Sequence, residues 1–240
     1  MIYPDWPATA HVKAATTTRN AGVSKGPYES LNLADHVGDA AEAVRRNRLS
    51  LRYQLNLPGR PNWLNQVHGD TVVDAANSGE RPCADASFTD KTQVVCAVLT
   101  ADCLPVLFCD RGGTRVAAAH AGWRGLAGGV LESTVRALDT EPGRLMAWLG
   151  PAIGAGAFEV GGEVRQAFVE QHAEAAEAFL ARPHGHWLAD LYQLARIRLR
   201  ATGVSALYGG GFCTFSDRQR FYSYRRDGVT GRMASLIWLE

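Results

Sequence analysis

Two histidines and one cysteine stand at predicted strand ends or turns: His68 in "NQVHGD", Cys103 in "TADC" and His120 in "AAAHAGWRG". Two imidazoles and a thiolate form a borderline-soft donor set that suits zinc or copper. Three protein ligands leave the fourth tetrahedral position to water or substrate, the pattern of a catalytic zinc site. Separations of 35 and 17 residues exclude a compact zinc finger, but ligands from separate strands can still converge. The same atoms allow a second chemistry, with Cys103 as nucleophile and His120 or His68 as its base. One imidazole is idle in that arrangement and used in a metal set, which favours the metal. Each residue alone also has a plainer reading, since a cysteine among apolar strands is usually a small core residue.

Around the trio lie candidates for the rest of a site. Asp102 ("TADC") and Asp85 ("ADASF") could relay protons, and Gln66 could read the edge of a base. "HAGWRGLAGG" opens a helix whose free N–H groups favour an anion. Arg124 in its first turn could add a bidentate contact, and Trp123 could stack on an aromatic base. Arg19 ("TTRN"), Arg225 and Arg226 ("SYRRD") are further anion-binding candidates.

These residues need elements to place them. "HVKAATTTRN" reads as a strand, and "DAAEAVRRNRLSLRYQL" as a helix capped by Asp39 with Val44, Leu49 and Leu51 on one side. "PNWLNQVHGDTVVDA" reads as strand, turn at Gly69-Asp70, strand. "QVVCAVLTA", "LPVLFCD" and "RLMAWLGPAIG" are apolar runs of the kind covered on both faces, and "TRVAAAHA" follows the turn "DRGG". Helices are predicted at "LAGGVLESTVRAL", "GGEVRQAFVEQ" and "LADLYQLARIRLRATG", the last from Leu188, Leu191, Leu194, Ala195 and Ile197 at a 3.6 period. "FYSYRRDGVTGRMASLIWL" reads as a hairpin with "DGVTG" as its turn. The result is a mixed α/β domain (α+β type) with hairpin strands. No glycine-rich dinucleotide or P-loop fingerprint is present.

At 240 residues, 46% hydrophobic and 20% charged, the chain has room for one large domain or two small ones and can bury a substantial core. A formal net charge of +1 without a basic run argues against a general nucleic-acid or membrane-surface binder. No apolar stretch reaches the roughly 18 residues of a membrane span. The first twenty residues lack the pattern of a signal peptide. Five cysteines (83, 96, 103, 109 and 213) with no C-x-x-C pair then point to reduced thiols in a cytoplasmic protein.

The segments "TRNAGVS", "SLNLADHVGD", "NQVHGD", "ADAS", "TADCLPV", "HAGWRG", "GPAIG", "FEVGGEV" and "YSYRRD" together resemble the YfiH/YlmD-like family. That family is described as multicopper polyphenol oxidases (laccases) and as purine nucleoside phosphorylases. The resemblance spans essentially the whole chain. It implies one catalytic domain over residues 1–240, with a layered α/β/β/α fold shared with Cys–His toxin deamidases, and zinc ligation by His68, Cys103 and His120. It further implies phosphorolysis of adenosine, inosine, guanosine and methylthioadenosine, with deamination of adenosine. Purine nucleosides and phosphate would be the partners. Copper-dependent phenol oxidation and proofreading of peptidoglycan precursors are also attached to the family. A full multicopper oxidase site needs about ten imidazoles and a thiolate, whereas this chain has seven histidines. Phenol oxidation is therefore expected only as a secondary activity.

Overall fold

The longest apolar runs become the central strands, because a strand buried on both faces has no solvent side to alternate with. In the computed structural model, which describes residues 1–240, the first half of the chain forms β1 (Val12–Thr16), α1 (Ala41–Gln54), β2 (Pro61–Asn62), β3 (Val72–Asp74), β4 (Ala86–Thr89), β5 (Val95–Thr100), β6 (Leu104–Asp110) and β7 (Val116–Ala121). The second half forms α2 (Trp123–Gly128), α3 (Val130–Ala137), β8 (Leu145–Leu149), β9 (Glu159–Val160), α4 (Gly162–Val169), β10 (Phe179–Ala181) and β11 (Trp187–Ala189). It closes with α5 (Leu191–Ala201), β12 (Ala206–Gly209), α6 (Tyr224–Asp227) and β13 (Met233–Leu239).

Two mixed sheets carry the fold, ordered β1-β13-β5-β2 and β12-β8-β6-β7-β4-β3. Every residue of β5, β6, β7, β8 and β13 is buried. Alternation along these strands separates three apolar layers. Leu107, Cys109, Val116 and Ala118 of the larger sheet meet Cys96, Val98, Ile237 and Leu239 of the smaller one. Val106, Phe108, Ala117 and Ala119 face the opposite way, onto Leu131, Val164, Leu194 and Leu199 of α3, α4 and α5. Val95, Ala97, Leu236 and Trp238 are covered by Leu51 of α1. The order is helix, sheet, sheet, helix, the layering that the family resemblance implies. A third, three-stranded sheet, β10-β11-β9, lies outside these layers.

All five cysteines are free. Cys96 and Cys109 lie between the sheets, where burial pushes both thiols up to about 12. They are core residues.

Several local expectations are corrected. Helix α1 begins after Ala40, because the Asp39 carboxylate accepts from Ser24 Oγ and Asn32 Nδ2 and holds the preceding loop instead of capping. Its inner face is Val44, Asn47 and Leu51, whereas Leu49 is 41% exposed. Asn47 is drawn inward because its amide donates to Ser24 Oγ, Ser30 O and Asn32 O. The segment from 61 to 75 is no hairpin: β2 pairs in parallel with β5, and β3 in parallel with β4 of the other sheet. The predicted helix after His120 is two helices, broken where Gly129 adopts φ 102. Leu188 belongs to β11, and α5 starts at an Asp190 cap that accepts from Gln193 N. The C-terminal hairpin is absent too. Ser223 Oγ accepts from Arg226 N to cap the short α6, and β13 pairs with β1 and β5.

Candidate metal centre

The loss of that first hairpin is what delivers His68. Residues 63–71 cross from the edge of the smaller sheet to the edge of the larger, and His68 sits in the crossing with φ 63. Cys103 lies in the β5–β6 turn, after Asp102 at φ 93. His120 is the penultimate residue of β7, and β6–β7 pairing sets it opposite Pro105. Left-handed backbone at a residue other than glycine costs about 1–3 kcal/mol and persists only where the surroundings enforce it. Two of these turns carry that cost beside the candidate ligands.

The three donor atoms lie within 4.8 Å of one another, and Cys103 Sγ is 3.8 Å from His68 Nε2. A tetrahedral zinc with ordinary bond lengths would hold such atoms about 3.5 Å apart, so small rotations close the set. The His68 and His120 rings meet edge to face, with centroids 4.8 Å apart. His68 is exposed, Cys103 half-buried and His120 buried, so the centre opens on the His68 side. Gly122 lines its floor. A Cβ there would fall 2.8 Å from His68 Cδ2 and 3.0 Å from Cys103 Sγ, so only glycine leaves the donors room.

Asp85 organises this arrangement from below. It is fully buried, and four donors converge on its carboxylate. His120 Nδ1 donates to Oδ1 at 2.8 Å, as does His68 N at 2.9 Å, while Gly69 N (2.7 Å) and Val67 N (3.2 Å) donate to Oδ2. The carboxylate therefore fixes the proton of His120 on Nδ1 and frees Nε2 to ligate, the usual support for a metal-binding histidine. It also clamps the turn that carries His68. Four bonds use all the lone pairs of a carboxylate, so Asp85 reaches a substrate only through His120. Burial alone would raise the Cys103 thiol, but the charge of His120 and the hydrogen bonds of both imidazoles bring it below its ordinary value. Burial works against His120 as well, yet Cys103 and Asp85 hold its imidazole above the usual range. By themselves the two groups favour a thiolate–imidazolium pair, so a cation would bind with release of the His120 Nε2 proton.

Asp102 serves the other side. Its Oδ1 accepts from Thr214 Oγ1 (2.6 Å), and its Oδ2 from Ser223 Oγ (3.0 Å) and Arg225 N (2.7 Å). The residue before Cys103 is thereby tied to the 212–216 loop and to α6. Gln66 is occupied at both ends by the backbone of Leu99, donating to its O and accepting from its N, both at 2.8 Å. Its amide splices the crossing segment onto the end of β5. Trp123 packs partly on the helical core, and the Arg124 guanidinium lies 4.4 Å from its ring centroid. Arg19 donates to Glu29 O and Arg218 O, and Arg225 Nη1 to Glu159 O. Arg226 is buried against Asp227, Thr214 O, Phe215 O and Phe221 O, a structural role. Thr214, Ser223 and Gly122 were not predicted as part of the site. Their side chains, or the lack of one, act through space, and nothing in their local sequence signals it.

The family model described as multi-copper polyphenol oxidoreductase laccase matches residues 13–240. A Pseudomonas aeruginosa protein named purine nucleoside phosphorylase is 61% identical, over 100% of this chain and 98% of its own. The Escherichia coli (strain K12) purine nucleoside phosphorylase YfiH is 54% identical, with the same shares covered. Among solved structures, a Neisseria meningitidis protein superposes with a TM-score of 0.97 at 59% identity, over 100% of this chain and 98% of that one. YlmD from Geobacillus stearothermophilus gives 0.92 at 33% identity, over 98% and 94%.

Proposed function

The chain belongs to the multi-copper polyphenol oxidoreductase laccase family, and from that premise we propose that it is a metal-dependent purine nucleoside enzyme. It cleaves adenosine, inosine, guanosine and methylthioadenosine with phosphate, giving the free base and ribose 1-phosphate or methylthioribose 1-phosphate, and it also deaminates adenosine. Residues 1–240 act as one catalytic domain. The observation that carries the reading is the His68–Cys103–His120 set, with its Asp85-oriented imidazole and one open side, in a chain whose relatives are named purine nucleoside phosphorylases.

The donor chemistry fits zinc. Zinc held by these three residues supplies Lewis acidity at the open side of the set. Asp85 keeps His120 in the ligating tautomer and the His68 turn in place. Asp102 holds the turn that presents Cys103. In phosphorolysis the C1′–N9 bond breaks as a phosphate oxygen bonds to C1′, and the purine leaves with a proton. Trp123 offers an aromatic face for the base, and Arg19, Arg124 and Arg225 are cations for anionic groups. The free thiols fit a cytoplasmic setting, and no helix is long and apolar enough to cross a membrane.

Purified protein incubated with adenosine or inosine, with and without phosphate, tests this reading. Free base and ribose 1-phosphate should form only with phosphate, and inosine should form from adenosine without it. No product above a Cys103→Ala control would end the reading. Elemental analysis should find zinc near one per chain, lost in Cys103→Ala. A second reading, a metal-free Cys–His amidase acting on peptidoglycan precursors, rests on the lowered Cys103 thiol beside His68. Active metal-free protein that iodoacetamide inactivates would favour it. Phenol oxidation is a side activity that should scale with added copper, since one His–Cys–His group cannot build a multicopper cluster.

A further inference from the structure

We propose that Arg232 grips the phosphate oxyanion at this centre. The proposal rests on the purine nucleoside reading and extends it to a residue outside the motifs discussed above. Position comes first. The antiparallel register of β5 and β13 ends with Met233 opposite Thr100. One step further sets Arg232 beside Ala101, and Asp102 and Cys103 follow directly. The turn is held tightly: Arg232 N donates to Asn32 Oδ1 at 3.0 Å, and a Cβ on Gly231 would strike the Tyr222 ring at 2.7 Å.

The guanidinium is fixed on one side and free on the other. Its Nη1 donates to Thr230 O (2.9 Å) and Gly231 O (3.0 Å), and the group lies 5.8 Å from the ring centroid of Tyr224, itself 60% exposed. Its Nε and Nη2 donate to no protein acceptor, and no carboxylate comes within ion-pair distance. Arg48 and Arg81, by contrast, both pair with Asp35, and Arg226 pairs with Asp227.

A half-buried guanidinium with no carboxylate in direct contact leaves room for an anion to meet its free edge. Nε and Nη2 form one edge of the guanidinium fork, the edge that takes two oxygens of a tetrahedral oxyanion in parallel hydrogen bonds. Phosphorolysis needs such an oxyanion held beside the sugar carbon it attacks. Free inorganic phosphate and the phosphate of a nucleoside monophosphate share this chemistry. We assign the position to the free ion, because the proposed reaction consumes it.

The test uses the purified protein with its bound metal and the variants Arg232→Gln and Arg232→Lys. Inorganic phosphate is titrated by calorimetry, and inosine phosphorolysis is followed at varied phosphate and varied inosine. Arg232→Gln should raise the phosphate dissociation constant and the phosphate KM by about 10- to 100-fold, the loss of a charge-assisted pair of bonds. Arg232→Lys should show a smaller rise, since it keeps the charge and loses the fork. The inosine KM should move by less than about twofold in both. If the glutamine variant does not fold, the lysine variant decides. Unchanged phosphate affinity in the folded variants overturns the proposal. So does a selective loss of adenosine 5′-monophosphate binding with inorganic phosphate binding intact. Wild-type protein that binds phosphate through Arg232 but forms no ribose 1-phosphate would remove the phosphorylase reading and leave the arginine assignment standing.

Discussion

Replacing Asp85 by asparagine changes one atom and removes a charge, and the structure says what that does. Four N–H donors reach the two carboxylate oxygens at 2.7 to 3.2 Å. Whichever oxygen becomes an NH₂ group, two donors then face a donor in a fully buried place. Each lost charge-assisted bond is worth about 1.5–3 kcal/mol, and neighbouring losses overlap. A net destabilisation of about 3 kcal/mol follows, which lowers Tm by roughly 6–12 °C in a chain of this size. His120 loses the partner that sets its tautomer, so zinc affinity should fall about 10- to 100-fold. Calorimetry of metal-free and zinc-saturated protein separates the two effects, and competition with a chelator gives the dissociation constant. Metal-free Asp85→Asn should melt early, and saturating zinc should restore less of the loss than the wild type gains. A variant with Tm within about 2 °C of wild type and zinc affinity within about twofold would refute the clamp.

Gly122→Ala should fold but bind zinc at least about tenfold more weakly, because its Cβ must displace His68 or Cys103; equal affinity by chelator competition would show that the floor is not tight. Asp110, which accepts from Gly112 N, Thr114 N, Arg115 N and Thr114 Oγ1 at the β6–β7 turn, tests acid stability away from the centre. Burial raises its carboxyl, but these bonds hold it below the ordinary carboxylate value. Its contribution is therefore complete above about pH 4 and disappears as the pH falls through the lower folded value. Asp110→Asn should cost about 2 kcal/mol at pH 7 and show less acid sensitivity by urea unfolding, the gap to wild type closing as the pH falls through the folded value. A gap that stays constant with pH would show that the carboxylate does not titrate as described.

Much of this protein was legible in the residues themselves. Apolar runs without alternation marked β5, β6, β7 and β8, because burial on both faces leaves that local imprint. The types of His68, Cys103 and His120 stated the chemistry open to them, and the run of family motifs joined them into one set. Short or polar elements were not legible. β4 escaped because "ASFT" carries little apolar signal, although it sits inside the larger sheet with Ser87 and Thr89 fully buried.

The tertiary structure alone decided how the centre works. Residues 61–75 read locally as strand, turn and strand, yet each strand found its partner in a different sheet, and that exchange carries His68 to Cys103. The four bonds of Asp85, the missing Cβ of Gly122, the engagement of Gln66 with Leu99 and the free edge of Arg232 all join residues distant in sequence. Periodicity and turn chemistry act over a few neighbouring residues, so they leave a trace in the order of amino acids. Contacts closed through space are fixed by sheet register and layer packing, and a single sequence carries no local mark of them.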